Sequence, residues 1–381
     1  MSLPEPSPEA RAHSERVAAR IRDEIAARGG WMSFARYMEL ALYEPGLGYY
    51  SAGARKLGRD GDFTTAPELS PLFGEAIAHG AAEVLEAGFD AILEVGAGSG
   101  ALAASVLEEL ERLGRLPRDY LILELSADLR ERSRDTLAAR VPHLLDRVAW
   151  LNQLPPSFEG LVLGNEVLDA MPVEVIRITD AGVEQAGVVA HDGGLTWDWR
   201  RAPDALVAEA ARLSLPPGYV TEIGVIARAF LHSLGAALRR GVAIFIDYGF
   251  PVREYYHPQR AQGTLMCHYR HRAHGDPFFL PGLQDITAHV DFTAVARAAT
   301  ESGMEVLGYT SQAQFLIGCG LTELMLRIPP DDAARYLPQA AAAQKLVSPS
   351  EMGELFKAIA LGKDYHGPLS AFAGGDRSDS L

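Results

Sequence analysis

The sequence is poor in cysteine, in positive charge and in long apolar runs. Two cysteines, Cys267 and Cys319, occur in 381 residues. That is too few for a disulfide framework and fits a reducing cytoplasm. Lysine and arginine number 35 against 50 aspartates and glutamates, a net charge of −15. Such a balance excludes a broad phosphate-binding surface, so nucleic acid is not an expected partner. It favours neutral or basic partners instead. No apolar stretch is long enough to span a bilayer, and membrane insertion is not expected. The first 30 residues carry arginines, but also Glu5, Glu9, Glu15, Asp23 and Glu24. An acid-rich start resembles neither a secretory signal nor a transit peptide, and a cytoplasmic chain is expected. Internal repeats and low-complexity tracts are lacking as well, and no pattern speaks for or against self-association. With 48% hydrophobic residues, the chain is long enough to bury a large core.

What is present is concentrated in one stretch. Ile92-Leu93-Glu94-Val95 reads as a buried strand, Gly96-Ala97-Gly98-Ser99-Gly100 as a turn, and Ala101 to Leu113 as a helix. Gly96, Gly98 and Gly100 let the backbone turn sharply and approach a ligand with no Cβ in the way. The helix that follows offers unpaired N–H groups to an anion. Two ligands use such a turn. Dinucleotides want G-x-G-x-x-G/A, a pattern that Gly96, Gly98 and Ala101 also satisfy. A turn without any ligand is the third reading. Glu94 tilts the choice, because an acid two residues before the first glycine repels a pyrophosphate and suits an ammonium. S-adenosylmethionine carries that ammonium, a carboxylate for the helix N-terminus, and a sulfonium. Glu124, 28 positions after Gly96, closes the apolar run Tyr120 to Leu123. An acid there accepts ribose hydroxyls, or else only favours the N-terminus of the next helix. Together with the glycine turn, it points to the nucleoside.

Strand and helix patterns alternate over 90–95, 101–113, 120–125, 127–140, 147–151 and 160–164. Alternation of this kind predicts a doubly wound α/β fold, a parallel sheet with helices on both faces. Before it stand an amphipathic helix near 9–29, ended by Gly29-Gly30, and a short helix over 32–42. A Gly-, Pro- and Tyr-rich loop over 43–68 follows, and then a helix opening at Ser70-Pro71. After Pro172 the pattern changes to segments near 173–179, 183–190 and 195–199, an expected antiparallel insertion. Helix 223–240 and strand 242–247 return to the core. Residues 250–290 read as a long loop, 292–301 as a helix, 304–309 as a strand, and 320–360 as helical.

Several separated stretches carry a family resemblance. They are Tyr43-Glu44-Pro45-Gly46-Leu47-Gly48-Tyr49-Tyr50, residues 61–70 beginning Gly61-Asp62-Phe63-Thr64-Thr65-Ala66-Pro67-Glu68, the glycine turn, Asn165-Glu166-Val167-Leu168-Asp169-Ala170-Met171-Pro172, Asp247-Tyr248-Gly249, and Asp285 to Phe292. They follow one another from Tyr43 to Phe292, and the resemblance covers roughly residues 30 to 360. The chain resembles the MidA-like family of S-adenosylmethionine-dependent methyltransferases, whose mitochondrial members are protein arginine methyltransferases that assist assembly of respiratory complex I. The resemblance implies a class I (Rossmann-like) methyltransferase fold, S-adenosylmethionine as cofactor, and a protein substrate presenting an arginine, with a complex I subunit as the family-level target. It also implies that the 61–70 loop covers the cofactor. The expected organisation is then N-terminal helices and this loop over 1–88, and the methyltransferase core over 89–318 with insertions at about 173–222 and 250–290. A C-terminal helical extension over 319–381 completes it. Expected cofactor-binding residues are Glu94, Gly96, Gly98, Gly100, Glu124, Thr64, Thr65 and Asn165.

An arginine acceptor poses a chemical problem. Its guanidinium stays protonated in water and its lone pairs are delocalised. Carboxylates can grip the fork bidentately, localise charge on one nitrogen and present another. Glu166 and Asp169 follow the strand 160–164 at the sheet edge where open parallel sheets bind substrate. Three positions apart, they share a face if the segment is one helical turn. Their plainer reading is that Asp169 or Asn165 caps that turn. Glu68 is a third candidate carboxylate, or an exposed acid at a helix N-terminus. Asp247 or Tyr248 faces the acceptor or packs the core. Asp291 is expected to cap the helix at Phe292, while His289 contacts substrate or is structural. Cys267, His268, His271 and His274 are read as a solvated loop near the active-site mouth. They are not read as a metal site, because Arg270 and Arg272 repel a cation. Methyltransferases of nucleic-acid amines show Asn/Asp-Pro-Pro-aromatic after this strand, a pattern absent at Asn165. A small-molecule acceptor, and a cofactor-binding assembly factor without turnover, stand as alternatives.

Overall fold

In the computed structural model of the chain, the described residues are 3–52, 65–192 and 194–381. The Gly61 to Thr64 motif therefore lies outside them. Helix α1 (Pro8–Ala27) starts at Ser7, whose hydroxyl accepts the Ala10 N–H, with Pro8 in the first turn. Val17, Ile21 and Ile25 recur every four residues and form its buried face. Strand β1 (Met32–Ser33) precedes α2 (Phe34–Tyr43). The helix expected over 32–42 thus begins two residues late, because Ser33 caps it and Met32 pairs with the insertion. Helices α3 (Ala66–Leu69) and α4 (Pro71–Glu86) share Ser70 as the boundary, its hydroxyl capping Leu72.

The expected alternation then appears as β2 (Ala91–Val95), α5 (Ala101–Arg112), β3 (Asp119–Leu123), α6 (Ala127–Arg140), β4 (Val148–Leu151) and β5 (Phe158–Asn165). The insertion supplies β6 (Glu174–Thr179), β7 (Gly182–His191), β8 (Gly194–Arg201), α7 (Asp204–Leu213) and β9 (Val220–Ile223). Helix α8 (Val225–Ala237) leads into β10 (Leu238–Phe250), so the helix expected over 223–240 gives up both its ends to strands. A short helix α9 (Val252–Tyr255) follows. Residues 266–287, expected within a loop, contain β11 (Met266–Tyr269), β12 (Arg272–His274) and β13 (Asp285–Thr287). At three or four residues each, these strands are too short for a period to show. Next come β14 (Val290–Asp291), α10 (Phe292–Glu301), β15 (Glu305–Ser311), α11 (Gln312–Gly318), α12 (Leu321–Leu326), α13 (Ala333–Val347) and β16 (Phe356–Lys363). The last is a correction to the helical reading of 320–360. An apolar run buried on both faces fits a helix segment and an inner strand equally well.

Among the described residues the main sheet runs β15-β16-β10-β5-β2-β3-β4, with β14 beside β10. Neighbours are parallel from β10 to β4, and β16 lies antiparallel between β10 and β15. Alternate residues face opposite layers. Ile92, Leu161, Leu163, Val242 and Ile244 meet α4, α5 and the C-terminal helices, while Leu93, Val162, Ala243 and Phe245 meet α8 and α10. The strand order reverses about β2, and the carboxyl ends there open the crevice where such sheets take ligands. A second, antiparallel sheet β1-β7-β6-β9, with β8 on β7, packs against α1 and α2. Cys267 and Ile286 of the small sheet β12-β11-β13 join that cluster. No helix among the described residues is long and apolar enough to cross a membrane.

The central pair β5–β10 depends on a close approach. Gly241 faces Gly160 across it, and Gly241 sits at φ +131°. A Cβ there would collide with the Gly160 carbonyl oxygen. Gly241→Ala should therefore cost about 2–5 kcal/mol, combining backbone strain with overpacking. Chemical denaturation checks this; an unchanged midpoint would show that the pair can open without penalty.

Candidate functional site

The sheet's carboxyl ends converge on a cavity of about 1010 Å3. The glycine turn forms one end of it. Gly96, Gly98 and Gly100 all hold left-handed φ values, +68°, +55° and +82°. A Cβ on Gly100 would stand 2.9 Å from the Ser133 Cα of α6, so no side chain fits there. The Gly96 N–H donates to the Leu123 carbonyl at 2.9 Å and ties the turn to the end of β3. Glu124 is thereby drawn under the turn, where it accepts N–H bonds from Gly98 at 3.4 Å and Ser126 at 2.9 Å. Burial pushes its pKa up against these bonds. Glu94 lines the same end and accepts the Tyr120 hydroxyl at 2.6 Å. Its burial outweighs that bond and raises it to about 7. This cradle, open to a ligand's backbone-side approach, with a helix N-terminus and two carboxylates, fits S-adenosylmethionine group by group.

Thr65 and Glu68 also line the cavity. Ser99 of the glycine turn donates its hydroxyl to Glu68. Glu68, the third candidate carboxylate, is thus joined to the glycine turn. Thr64 lies outside the described residues.

The other end is built around Asp247. After Asn165 the chain enters a left-handed conformation at Glu166, φ +53°, whose N–H donates to the Ile246 carbonyl. The next three amides, of Val167, Leu168 and Asp169, all donate to Asp247 Oδ2, at 3.1, 2.9 and 3.3 Å. The segment is thus a loop wound on a carboxylate, not the helical turn expected from the spacing. The capping role foreseen for Asp169 or Asn165 falls to Asp247. Asn165 Nδ2 donates to Glu166 Oε1 at 3.2 Å. Asp169 is 4% exposed. Its Oδ1, and Oδ1 of Asn165, have no hydrogen-bond partner among the described residues. Tyr248 is also in the lining, and its hydroxyl offsets part of the effect of burial on Asp169. Burial and the neighbouring Asp169 raise Glu166 to about 8, and burial raises Asp169 to about 6. Asp247 is pushed well up by burial and by those two acids.

Three residues that sequence reasoning passed over complete this end. Asp285 of β13 is buried in the cavity wall and accepts the Tyr50 hydroxyl at 2.9 Å. Tyr43 stacks on Tyr50 at 5.4 Å between ring centroids and donates to the Ala170 carbonyl at 2.8 Å. All three stand in the stretches that carry the resemblance, which was the available signal. His289 lines the cavity edge-on to Tyr248, and burial lowers it to about 4. Asp291 caps α10 at Ala294 as expected. The reading of 267–274 as a solvated loop is corrected: it is a hairpin with Cys267 buried and His268 at the cavity wall. Among the described residues, no group of three or more His, Cys, Asp or Glu is placed to hold a metal ion.

The comparisons with known proteins agree with this geometry. A family described as "Putative S-adenosyl-L-methionine-dependent methyltransferase" matches residues 77–310. The mouse mitochondrial protein arginine methyltransferase NDUFAF7 is 29% identical over 87% of this chain and 81% of its own length. Its Drosophila melanogaster homologue is 27% identical over 95% and 89%. A crystal structure from Burkholderia thailandensis, bound to S-adenosyl-homocysteine, is 53% identical and superposes with a TM-score of 0.96 over the whole of both chains. That ligand is the cofactor after loss of its methyl group. The fold is accordingly that of a class I methyltransferase, and the cofactor is S-adenosylmethionine. The family match runs over more than half of the sequence, and the chain belongs to this family of S-adenosyl-L-methionine-dependent methyltransferases.

Proposed function

We propose that this methyltransferase methylates a guanidinium nitrogen of a protein arginine, with Glu166 and Asp169 as the clamp on the acceptor. One observation carries the reading. Asp169 Oδ1 and Asn165 Oδ1 are buried acceptors without donors among the described residues, beside Glu166 in the cavity wall. A site made of acceptors calls for a ligand made of donors. A guanidinium has five N–H groups, no acceptor and a permanent charge. The arginine named in the mouse and fly relatives supports the same acceptor. A respiratory complex I subunit, the target the resemblance implies, is the first protein to try, in a cytoplasmic setting that suits two free thiols.

The proposed division of labour follows the cavity. Gly96, Gly98 and Gly100 with the α5 N-terminus receive the cofactor's carboxylate, Glu94 faces its ammonium, and Glu124 accepts its ribose hydroxyls. Thr65 and Glu68 line the cavity beside that turn, and Asn165 stands between it and Glu166; Thr64, outside the described residues, is proposed as a further cofactor contact. When bound, S-adenosylmethionine supplies an electrophilic methyl group on a sulfonium. Glu166 and Asp169 hold the guanidinium so that one nitrogen is aligned with that carbon, and alignment is the main contribution an enzyme makes to such a displacement. Glu166, raised to about 8, is suited to take the proton that leaves the guanidinium as the C–N bond forms.

Two sets of measurements test this. Calorimetry should show S-adenosylhomocysteine binding and no comparable binding of NAD. Glu124→Ala should weaken the former by roughly 1.5–3 kcal/mol through loss of a charged hydrogen-bond acceptor. Equal or tighter NAD binding would count against the cofactor assignments. Labelled methyl transfer into a lysate lacking this protein, followed by mapping of the modified residue, should place the label on arginine. Glu166→Gln and Asp169→Asn should each slow that transfer by about two orders of magnitude, the effect of removing one preorganised electrostatic contact. Cofactor affinity should change little by comparison. Parental rates in both variants, or label found only on small molecules, would overturn the arginine clamp.

A further inference from the structure

A second buried carboxylate is set back from the acidic end of the cavity. Glu222 of β9, 4% exposed, belongs to the inserted sheet. Its Oε1 accepts the Thr264 and Leu265 amides at 3.0 and 3.1 Å. Its Oε2 accepts the Thr264 hydroxyl at 3.0 Å and the Tyr255 hydroxyl at 3.3 Å. Burial pushes its pKa up, and the Thr264 and Leu265 bonds pull the other way. The loop it holds is built for so close an approach. Gly263 sits at φ +81°, and a Cβ there would run into the Glu222 carboxylate. Glu222 thus gathers the donors of one loop, as Asp247 gathers the amides of residues 167–169.

Thr264 carries this hold onward. A hydroxyl can donate and accept at once. While Thr264 donates to Glu222, its Oγ1 accepts the His289 amide at 3.0 Å. The preceding amide, of Ala288, donates to the Asp169 carbonyl at 3.1 Å. Two consecutive amides therefore tie residues 288–289 to Thr264 on one side and to Asp169 on the other. The His289 ring stands edge-on to Tyr248, 5.2 Å between ring centroids, and the Tyr248 hydroxyl acts on Asp169. Both routes from Thr264 end on the loop after β5.

Neither Glu222 nor Thr264 lines the large cavity, whereas Asp169, Tyr248 and His289 do. Glu222 faces a smaller cavity of about 60 Å3, of which His289 forms another part of the wall. Direct contact with acceptor or cofactor is therefore not what these two residues offer. We infer that Glu222, acting through Thr264, is a positioning residue for methyl transfer: it fixes residues 288–289 and, through them, the loop that carries Glu166 and Asp169. The inference rests on the proposed reading in one respect, that this loop faces the acceptor. Asp247 of β10 holds the Asp169 amide, and Glu222 of β9 holds its carbonyl by way of Thr264 and Ala288. The loop is thus gripped from the main sheet and from the inserted one. A group held from both sides keeps its alignment, and alignment is what a displacement at a methyl carbon demands. The inserted sheet thereby gains a part in the reaction, with no part in holding the cofactor.

The test turns on one hydroxyl. Thr264→Val keeps the shape and removes the group that joins Glu222 to His289. Thr264→Ser keeps that group and removes a methyl. Labelled methyl transfer into a lysate lacking this protein is measured with the full chain over a range of S-adenosylmethionine concentrations. Thr264→Val should lower the maximal rate about tenfold, within the range that small misplacements of reacting groups produce. The KM for S-adenosylmethionine and the calorimetric affinity for S-adenosylhomocysteine should stay at parental values. Thr264→Ser should return most of the rate. Glu222→Gln, which turns one acceptor oxygen into a donor, should slow transfer in the same way. Thermal unfolding of each variant separates positioning from general weakening. A rate that follows the unfolding midpoint and not the hydroxyl would overturn the inference, as would a parental rate in Thr264→Val. Asp169→Asn supplies a second readout. In that background Thr264→Val should cost little more, because residues that act as a unit are not additive. Losses that multiply would sink the positioning role and leave the clamp standing. A parental rate in Asp169→Asn would instead sink the clamp, and the Thr264→Val and Thr264→Ser pair then decides the positioning role alone.

Discussion

A single buried carboxylate organises the acidic end of the cavity. Asp247 Oδ2 receives the amides of Val167, Leu168 and Asp169, and its Oδ1 receives the Tyr248 amide at 3.0 Å. Without it three amides at the end of β5 would be orphaned in the interior, each a cost of the order of 1–3 kcal/mol. With it, the chain reverses through Glu166 in a left-handed conformation that an L-residue adopts only under constraint. Burial and the acids Asp169 and Glu166 all oppose ionisation of Asp247. The four amide contacts are what the structure sets against that opposition. Where Glu166 and Asp169 point is thus decided by a residue on a neighbouring strand about 80 positions away.

The two ends of the cavity are not independent. Tyr50 spans them. Its carbonyl accepts the Ser126 hydroxyl at 2.6 Å, and Ser126 in turn donates its amide to Glu124. Its own hydroxyl donates to Asp285. The N-terminal segment therefore reaches both Glu124 and the acidic far end, and residues of α2 line the same cavity. Class I sheets present an open crevice at their carboxyl edge. Here the elaborations around the core deepen that crevice into a partly open cavity of about 1010 Å3.

Much of this was legible locally. The Gly96–Gly100 turn and the alternation from 90 to 164 are patterns within short windows, and the structure keeps them nearly residue for residue. The antiparallel insertion after Pro172 and the cap at Asp291 were equally local. What escaped was either too short or too distant. The strands Met266–Tyr269, Arg272–His274 and Asp285–Thr287 are shorter than any period, and so Asp285 was read as part of a loop. Phe356–Lys363 is an apolar run whose strand identity is set by its place between β10 and β15. Asp247 was singled out, but its partners are amides, which leave no trace in side-chain identity. Glu68 differs, since its partner is a side chain, the Ser99 hydroxyl, but one that lies 31 positions on.

The acidic end also bears on whether turnover or scaffolding better explains the chain. A carboxylate whose folded pKa is raised takes up protons on folding, so its contribution to stability falls as pH rises from the unfolded value through the folded one. Asp169 at about 6 and Glu166 at about 8 therefore work against the free fold from about pH 4 upward, most strongly at neutral pH and above. A protein that only bound its cofactor as a scaffold would gain by replacing them with neutral residues of similar shape, as buried ion pairs often can be replaced. On the proposed reading, the destabilisation has a use. Carboxylates that burial has pushed up have electrostatic energy to release when a guanidinium arrives, and that release favours a charged acceptor over a neutral one. On that reading, the same carboxylates that burial makes costly to the fold are the ones that align the acceptor.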